Sequence, residues 1–320
     1  MRKEINQLLE RINKGLEELE LPNSPSNLYD PINYILNIGG KRVRPMLAML
    51  AYQLYKEDVD TVILPFLALE VFHNFTLVHD DIMDEAPLRR GNETVHKKWD
   101  DNIAILSGDV MMVKAYELLS HTPKEMLANV LTKFNKCAQE VCEGQQKDMD
   151  FENLPSVTVE EYLDMIRQKT AVLLGFSLEM GAILGGAPKK ESDKLYEVGV
   201  NLGLAFQLQD DLLDLYGGDN FGKQVGGDVI NKKKSILITK ALELSSSKNE
   251  LLKIYNSTTE NQQHKVSVIT AAFDELGVRE NVKNMISAHE KEGNEKLRQL
   301  SSPKLGELLN YFKLLKTRIR

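Results

Sequence analysis

Apolar residues recur at every third or fourth position along most of this 320-residue chain, which is the spacing of one face of an α-helix. They fall at Leu67, Val71, Phe75 and Val78 in one stretch, and residues 195–213 follow the same rule. No long run alternates between apolar and polar residues as a half-buried β-strand does. The pattern therefore predicts an all-α fold.

The helical pattern also predicts how the chain is organised. No low-complexity linker divides it, so we expect a single large helical bundle over residues 1–320. Residues 171–184 are apolar nearly all round, as in a helix at the middle of a bundle or in a dimer interface. Thr158 followed by Glu161 predicts a capping box at a helix start, and a helical pattern occupies Val266–Leu297.

Composition excludes several classes of protein. Lys and Arg number 40 against 47 Asp and Glu, a net charge of −7, so no surface for nucleic acid is expected. Two cysteines cannot form a disulfide framework, which favours a reduced, cytoplasmic setting. No apolar run approaches the roughly 18 residues of a membrane span, and the charged amphipathic N-terminus does not resemble a signal peptide. We therefore expect no stable membrane insertion.

The motif HDDIMD contains Asp80, Asp81 and Asp84, and it places Asp80 and Asp84 one turn apart on the same helical face. Two carboxylates stacked in this way repel each other, which lowers helix stability by roughly 0.2–0.5 kcal/mol unless a cation binds them. Mg²⁺ accepts one or two carboxylates and keeps positions open for water and phosphate oxygens. On its own, the motif is as typical of a solvated acidic face as of a metal site.

A second motif, QDDLLD, repeats this spacing at Asp210, Asp211 and Asp214, again within a strongly apolar helix. Gln207 lies one turn before Asp210 on the same face. Carboxylates are almost never buried unpaired, so two such clusters in apolar helices favour a functional interpretation. We expect the two helices to line a central cleft that holds several Mg²⁺ ions and a polyphosphate.

Basic residues lie next to both acidic motifs, where arginine can bind phosphate oxygens bidentately and lysine supplies compact positive charge. Any one of them alone is more typical of a solvated surface. In a chain with a net charge of −7, clusters beside the acidic motifs favour diphosphate binding. They are Lys41, Arg42 and Arg44 in GGKRVRP, Arg89 and Arg90 in LRRG, Lys169 before Thr170, and Lys223 and Lys233 around a glycine-rich loop.

With these motifs assembled, the sequence strongly resembles the trans-prenyl diphosphate synthases of the polyprenyl synthetase family. The similarity covers nearly the whole chain, through GGKRVRP, HDDIMD with RRG, GQQKD, KTAVLL, FQLQDDLLD and the GK and GGD loop. It implies an all-helical fold with a central cleft, usually a homodimer. It also implies an enzyme that condenses isopentenyl diphosphate with an allylic diphosphate by Mg²⁺-assisted ionisation.

The resemblance further implies roles for individual residues. Asp80, Asp84 and Asp210 would bind Mg²⁺, three ions per site, and would act in catalysis together with Lys169 and Lys223. The allylic diphosphate would be held by Arg89, Lys169, Gln207, Lys223 and Lys233, with Thr170 also in contact with substrate. Isopentenyl diphosphate would be bound by Lys41, Arg44, His73 and Arg90.

Product length is predicted from the helix that leads into Asp80. Phe75 and Phe72 lie five and eight residues before it, about 7.5 and 12 Å at ~1.5 Å per residue, and the small Thr76 leaves some depth. The resemblance makes Phe75 the floor of a tunnel for the growing chain, although ordinary core packing also explains both rings. HNFTLVHDDIMD resembles the archaeal-type geranylgeranyl synthases, which favours a C20 product over C15.

Two other classes of protein share parts of this pattern. A class I terpene cyclase has the all-α fold and a DDxxD motif, but its second motif typically resembles (N/D)xx(S/T)xxxE rather than DDLLD. A non-catalytic subunit of a heteromeric prenyl synthase tends to lack aspartates or the arginine pair, and this chain has both.

Overall fold

Helices make up most of the computed structural model, which describes residues 2–217, 225–259 and 261–317 (the backbone alone for 2, 316 and 317). The all-α prediction is confirmed. A 3₁₀ turn at Asp60–Val62, a π-helical turn at Arg167–Ala171 and two short strands, β1 (Leu88–Arg89) and β2 (Asn92–Glu93), join the helices. The α-helices are α1 (Arg2–Glu17), α2 (Ser26–Asn37), α3 (Val43–Tyr52), α4 (Ile63–Met83), α5 (Val95–Lys98), α6 (Asp101–Leu119), α7 (Lys124–Glu152), α8 (Val159–Ile166), α9 (Val172–Gly185), α10 (Lys189–Tyr216), α11 (Gly227–Ile230), α12 (Ile236–Leu244), α13 (Lys248–Tyr255), α14 (Gln262–Glu275), α15 (Val278–Leu297) and α16 (Leu305–Thr317).

Local sequence signals set several helix ends. Before α8, the Thr158 hydroxyl accepts a hydrogen bond from the backbone N–H of Glu161, and the Glu161 carboxylate accepts one from the N–H of Thr158. The predicted capping box is therefore confirmed. The helical pattern over Val266–Leu297 is divided into α14 and α15, because Gly277 adopts a left-handed conformation (φ 68°) between them.

The chain divides into two compact units, each assembled from separate segments. Unit 1 comprises Met1–Asn135, Phe176–Leu195 and Ser301–Tyr311, and unit 2 comprises Lys136–Gly175, Tyr196–Leu300 and Phe312–Arg320. The single domain expected from the sequence stays a prediction.

The core of unit 1 is built around α4, on which Phe66 and Phe72 are fully buried. Asp60–Met83 is long and apolar enough to cross a membrane by length and composition alone, yet 61% of its most apolar window is buried inside the protein. The core helix of a soluble protein passes the same test. α9 approaches α3 so closely that a Cβ on Gly181 would lie 2.1 Å from the carbonyl oxygen of Ala48, so only glycine fits there.

The core of unit 2 includes residues of α8, α10, α12, α14 and α15. On α10 the helical period places Leu208 and Leu212 in this core, while Asp210 is exposed and Asp214 is half-buried. The apolar face of α10 therefore holds the second acidic motif in place, and two of its aspartates lie at the surface of the unit.

Candidate active site

The first acidic motif lies at the C-terminal end of α4. Asp80 and Asp81 belong to its last turn and Asp84 is its C-cap, where the negative end of the helix dipole makes carboxylates unfavourable without nearby cations. The Asp81 side chain is buried, and Arg89 binds it bidentately, with Nε 2.8 Å from Oδ2 and Nη2 2.7 Å from Oδ1. Nη2 of Arg89 also lies 3.8 Å from Oδ2 of Asp80. Asp81 therefore orients Arg89. The side chain of Asp80 is partly exposed, and that of Asp84 is exposed.

The charges at this end of α4 shift one another's pKa. Burial raises the pKa of Asp81, although the hydrogen bonds and charge of Arg89 act in the opposite direction. Burial on its own would lower the pKa of Arg89, but hydrogen bonding to Asp81 and the charges of Asp81, Asp80 and Asp84 raise it. Arg89 therefore stays charged beside three carboxylates.

Two short strands that the helical pattern did not predict hold Arg89 and Arg90. Arg89 of β1 pairs with Asn92 of β2, and Arg90 and Gly91 form the turn between them with φ values of 54° and 78°. Two positive φ values in a two-residue turn are typical of type I′, which favours glycine. The glycine in RRG is the one sequence signal for this turn.

Arg90 reaches the loop GGKRVRP, where its guanidinium donates to the carbonyl oxygen of Gly39. Gly40 has a φ of 155°, and a Cβ there would lie 2.8 Å from Nη1 of Arg90. The second glycine therefore leaves room for the guanidinium. Lys41 is exposed and Arg44 is half-buried at the start of α3. Through its bond to Gly39, Arg90 therefore contacts the loop that holds both residues.

His73 lies on α4 and is half-buried. Burial lowers its pKa well below the usual value, and the charges of Arg44, Arg90, Arg89 and Arg42 act in the same direction. The imidazole is therefore neutral at neutral pH, and four arginine charges act on it. Two of these arginines are bound to carboxylates, Arg42 to Glu70 and Arg89 to Asp81. The charges of Arg44 and Arg90 at the GGKRVRP loop suit the binding of a diphosphate.

The aromatic residues predicted to set product length differ in their burial. Phe75 is half-buried, and its ring centroid lies 5.6 Å from that of Phe72 and 4.8 Å from that of His79. Phe72 is fully buried and packs edge-on against Phe134, with 5.1 Å between centroids. Thr76 is half-buried beside Phe75. Phe72 thus belongs to the core of unit 1, and the role of either ring in chain length stays a prediction.

The second acidic motif lies near the C-terminal end of α10 in unit 2. Its middle residue, Asp211, is buried and accepts a hydrogen bond from the Tyr162 hydroxyl. It accepts two more, each at 3.1 Å, from Nε2 of Gln207 and from the first backbone N–H of α12. Burial raises the pKa of Asp211 to about 6 against the effect of these hydrogen bonds.

Asp228 adds a fourth carboxylate to this region of unit 2. Its backbone N–H donates to Oδ2 of Asp214 at 3.0 Å. Burial, together with the charges of Asp211, Asp214 and Asp210, raises the pKa of Asp228 to about 8, and Lys233 offsets part of this. Carboxylates that raise one another's pKa form a region that a bound cation would stabilise.

Lys169 and Thr170 lie in the π-helical turn before α9, a feature often found at functional sites. Nζ of Lys169 lies 2.6 Å from Oδ2 of Asp148, and the Thr170 hydroxyl donates to Oε1 of Gln207 at 3.3 Å. A Cβ on Gly144 would lie 2.2 Å from the backbone nitrogen of Lys169. Asp148 and Gly144 were not predicted as site residues, although the motif GQQKD that contains both was recognised.

Of the two lysines predicted around the glycine-rich loop, Lys233 lies among the described residues. Lys233 is half-buried, and its carbonyl oxygen accepts a hydrogen bond from the Tyr255 hydroxyl at 2.6 Å. The same hydroxyl lies 3.2 Å from the carbonyl oxygen of Asp228. Lys223, predicted to bind diphosphate, lies outside the described residues. Tyr255 was not predicted, because nothing in its local sequence relates it to the loop.

The predicted metal can be tested against the donor atoms that each unit offers. Among the residues that the structure describes, no three His, Cys, Asp or Glu side chains come together as a ready-made metal site. Each motif instead offers a pair of carboxylates one helical turn apart, Asp80 with Asp84 and Asp210 with Asp214. Mg²⁺ typically takes one or two carboxylates and fills its other positions with water and phosphate oxygens, so these donors fit it.

Comparison with known proteins identifies the family. A family model described as Polyprenyl synthetase matches residues 25–272. The geranylgeranyl diphosphate synthase of Methanosarcina mazei is 36% identical over 297 residues, which cover 92% of this chain and 90% of the relative. A short chain isoprenyl diphosphate synthase of Methanocaldococcus jannaschii is 44% identical over 231 residues, 71% of this chain and 70% of the relative. The crystal structure of geranylgeranyl pyrophosphate synthetase from Pyrococcus horikoshii Ot3 matches with a TM-score of 0.91 at 34% identity and covers 99% of this chain and 97% of that chain.

The fold and the sequence matches together define a prenyltransferase of the all-α class. The chain belongs to the polyprenyl synthetase family. Enzymes of this family in general use a divalent metal and take isopentenyl diphosphate and an allylic diphosphate as substrates. Neither the terpene cyclase nor the non-catalytic subunit is favoured by these matches.

Proposed function

We propose that this chain is a Mg²⁺-dependent trans-prenyltransferase that makes the C20 product geranylgeranyl diphosphate in preference to the C15 product farnesyl diphosphate. The observation that supports this most directly lies in unit 1. Arg89 is bound bidentately to Asp81 of the acidic motif, and the next residue, Arg90, donates to Gly39 of the loop that holds Lys41 and Arg44. Arginines beside carboxylates suit a diphosphate that is bound through Mg²⁺.

The proposed ligands divide between two substrates and the metal. Asp80, Asp84 and Asp210 bind three Mg²⁺ ions. The allylic diphosphate is held by Arg89, Lys169, Gln207, Lys223 and Lys233, with Thr170 beside it. Isopentenyl diphosphate is held by Lys41, Arg44, His73 and Arg90. The neutral state of His73 suits this role, because a neutral imidazole can donate one hydrogen bond without adding charge.

The proposed reaction begins with cleavage of the allylic C–O bond. Asp80, Asp84 and Asp210 would hold the Mg²⁺, which would supply positive charge to the leaving diphosphate. Arg89, Lys169 and Lys233 donate hydrogen bonds to that diphosphate and favour its departure. The isopentenyl double bond then forms a C–C bond to the allylic cation, and a proton passes to the departed diphosphate as a new allylic double bond forms. No side-chain nucleophile is required.

The proposed product length depends on Phe75. Its partial burial leaves its ring at the edge of the unit 1 core, whereas Phe72 behind it is packed against Phe134. A growing chain that follows α4 away from Asp80 would therefore meet Phe75 first. The names of the similar geranylgeranyl synthases from Methanosarcina mazei and Pyrococcus horikoshii support C20.

We propose that the enzyme is a cytoplasmic homodimer in which a second copy binds along α6. Burying the apolar side chains on the outer face of this helix in a dimer would remove them from water. Leu106 and Val113 on that face are 58% and 66% exposed. The full set of exposed apolar residues on α6 is Ile105, Leu106, Val113 and Tyr116.

Product analysis of the purified enzyme tests the proposed reaction. The full chain is incubated with Mg²⁺, isopentenyl diphosphate and each of the C5, C10 and C15 allylic diphosphates, and the dephosphorylated products are separated by length. We expect a dominant C20 alcohol, no product after chelation of the metal, and recovery when Mg²⁺ is restored. Cyclic hydrocarbons, or no turnover with any starter, would contradict the proposal.

Asparagine variants test the metal ligands. Asp80→Asn and Asp210→Asn should each lower kcat by about 10²-fold or more, because each removes a charge that holds the metal at the leaving group. Asp60→Asn is the matched control, since Asp60 is an exposed aspartate in an ion pair with Arg11. If all three variants were equally active, the assignment of Asp80 and Asp210 as metal ligands would be wrong.

A further inference from the structure

Arg42 differs from the other basic residues of GGKRVRP because it is buried. Its exposed fraction is 5%, and its backbone adopts a left-handed conformation with a φ of 47°. Side chains with a Cβ rarely adopt that conformation, which favours glycine. A buried arginine in a strained backbone needs compensation from its surroundings.

The guanidinium of Arg42 is bound on all three of its nitrogens. Nη1 donates to Oε1 of Glu70 at 2.9 Å, Nη2 donates to the carbonyl oxygen of Leu36 at 2.6 Å, and Nε donates to Oδ1 of Asn13 at 3.2 Å. These partners belong to α4, α2 and α1. Asn74 donates to Oε1 of Glu70 at 3.4 Å, which further fixes the carboxylate. The loop is therefore held to three helices through one side chain.

Arg42 is buried and three of its five N–H donors bind protein acceptors, whereas its neighbours are differently placed. Lys41 precedes it and is exposed, and Arg44 follows it in the first turn of α3. The strained φ at Arg42 sets the angle between the end of the loop and the start of α3, so it sets the directions of both neighbours. Glu70 also lies three residues before His73, on the same helix.

We propose that Arg42, held by Glu70, is a positioning residue that fixes Lys41 and Arg44 for isopentenyl diphosphate. This inference rests on the proposed function, in which those two residues bind that substrate. Mutating an outer-shell residue that orients a metal ligand typically lowers affinity by 10–100-fold, and we expect an effect of similar size here. The effect should be selective, because the loop holds ligands of only one of the two substrates.

The experiment measures KM for each substrate in the full-length enzyme with Mg²⁺. Arg42→Gly keeps the left-handed backbone accessible and removes only the side chain. We expect it to raise KM for isopentenyl diphosphate about tenfold or more, with kcat and the KM for the allylic substrate within about threefold of wild type. Glu70→Gln should raise the same KM by a smaller factor, and it decides the question if Arg42→Gly does not fold.

Glu179→Gln is the matched control. Glu179 is 5% exposed and pairs with Lys133, which is 25% exposed and also lies within unit 1, whereas Glu70 is 2% exposed. A merely structural role for Glu70 predicts that both glutamine variants lower the melting temperature and leave the two KM values in their wild-type ratio. That result, or an equal rise in both KM values for the Arg42 and Glu70 variants, would overturn the inference.

Lys41→Ala and Arg44→Ala separate this inference from the proposed function. If they raise KM for isopentenyl diphosphate while Arg42→Gly and Glu70→Gln do not, the positioning role is wrong and the substrate assignment stands. If neither alanine variant changes that KM, the substrate assignment itself is wrong.

Discussion

Gly144 shows how much one missing side chain can control at the residue scale. A Cβ there would lie 2.2 Å from the backbone nitrogen of Lys169 and 2.7 Å from its Cα, and backbone atoms of a helix cannot move aside as a flexible side chain can. Gly144→Ala should therefore displace the π-helical turn. We expect a loss of about 1–3 kcal/mol in the free energy of unfolding and at least a tenfold fall in kcat, measured by chemical denaturation and steady-state kinetics.

Gly306→Ala is the control for this prediction. Gly306 lies in the first turn of α16, and a Cβ built there would have no described atom within 4 Å apart from its chain neighbours and the backbone of its own helix. Replacing a helical glycine by alanine at such a position should stabilise the protein by roughly 0.5–1 kcal/mol and leave kcat unchanged. Wild-type activity in the Gly144 variant would show that the turn can shift without harm.

Phe75 and Phe72 should respond differently to truncation. Phe75→Ala removes a half-buried ring and should lengthen the product beyond C20, since each added five-carbon unit gains roughly 4 kcal/mol at ~0.8 kcal/mol per carbon buried. Adding Phe72→Ala should lengthen it further and lower the free energy of unfolding by about 3–5 kcal/mol, because Phe72 is fully buried against Phe134. Chain-length analysis of the alcohols measures the first effect and denaturation the second.

Phe66→Ala separates product length from packing. Phe66 is also fully buried on α4, where its ring packs edge-on against Tyr52 at 5.9 Å between centroids. We expect a stability loss similar to that of Phe72→Ala with the C20 product retained. An unchanged product spectrum in the Phe75 and Phe72 double variant would refute the tunnel-floor role of both.

The residues that the sequence singled out share a local signal, and the ones it missed do not. The two acidic motifs were recognised by spacing along one helix, and His73 by its helical offset from Asp80. Arg42 could not be told from Lys41, because burial depends on Glu70, which is 28 residues away. Asp148 was missed for a similar reason, since its partner Lys169 lies 21 residues further along the chain.

At the element scale, the helical spacing of apolar residues and the capping signals predicted the long helices. They did not predict the short elements of other geometry that interrupt or join those helices. The strands β1 and β2 have two residues each, too few to show an alternating pattern. The π-helical turn contains four consecutive polar residues, RQKT, so no apolar residue there reveals the shift in helical phase that its extra residue causes. Both departures hold predicted ligands, Arg89 in β1 and Lys169 in the turn.

The Tyr255 hydroxyl holds two backbone carbonyl groups in the segment from α11 to α12, which leads to a further prediction. The buried hydroxyl lies 2.6 Å from the carbonyl oxygen of Lys233 and 3.2 Å from that of Asp228. Tyr255→Phe should lower the free energy of unfolding by about 1 kcal/mol and, by loosening Lys233, raise KM for the allylic diphosphate. Denaturation and steady-state kinetics measure the two effects.

Tyr216→Phe controls for the loss of a tyrosine hydroxyl in the same unit. The Tyr216 hydroxyl donates to Oδ1 of Asp274 at 2.9 Å, and neither residue is a proposed ligand. Its removal should leave both KM values unchanged. Equal kinetics in the two phenylalanine variants would show that Tyr255 does not act through Lys233.

At the scale of the whole molecule, the all-α fold follows from the helical period, but the grouping of segments does not. Unit 1 includes Phe176–Leu195 and Ser301–Tyr311, which lie far along the chain from its first 135 residues. Helical periodicity identifies which face of a helix is apolar, not which other helix covers it. The close approach at Gly181 is an example, because its partner Ala48 lies on α3.

The exposed apolar face of α6 leads to the last prediction, on assembly. A dimer should have twice the 36.2 kDa mass of the chain in sedimentation at micromolar concentration. Leu106→Glu with Val113→Glu should give monomers, because each side chain contributes about 1.5–3 kcal/mol when fully buried and a buried glutamate is strongly unfavourable. Val268→Glu, at an exposed valine on α14, should leave the mass unchanged. A wild-type mass of one chain would refute the homodimer, and a dimeric double variant would place its interface elsewhere.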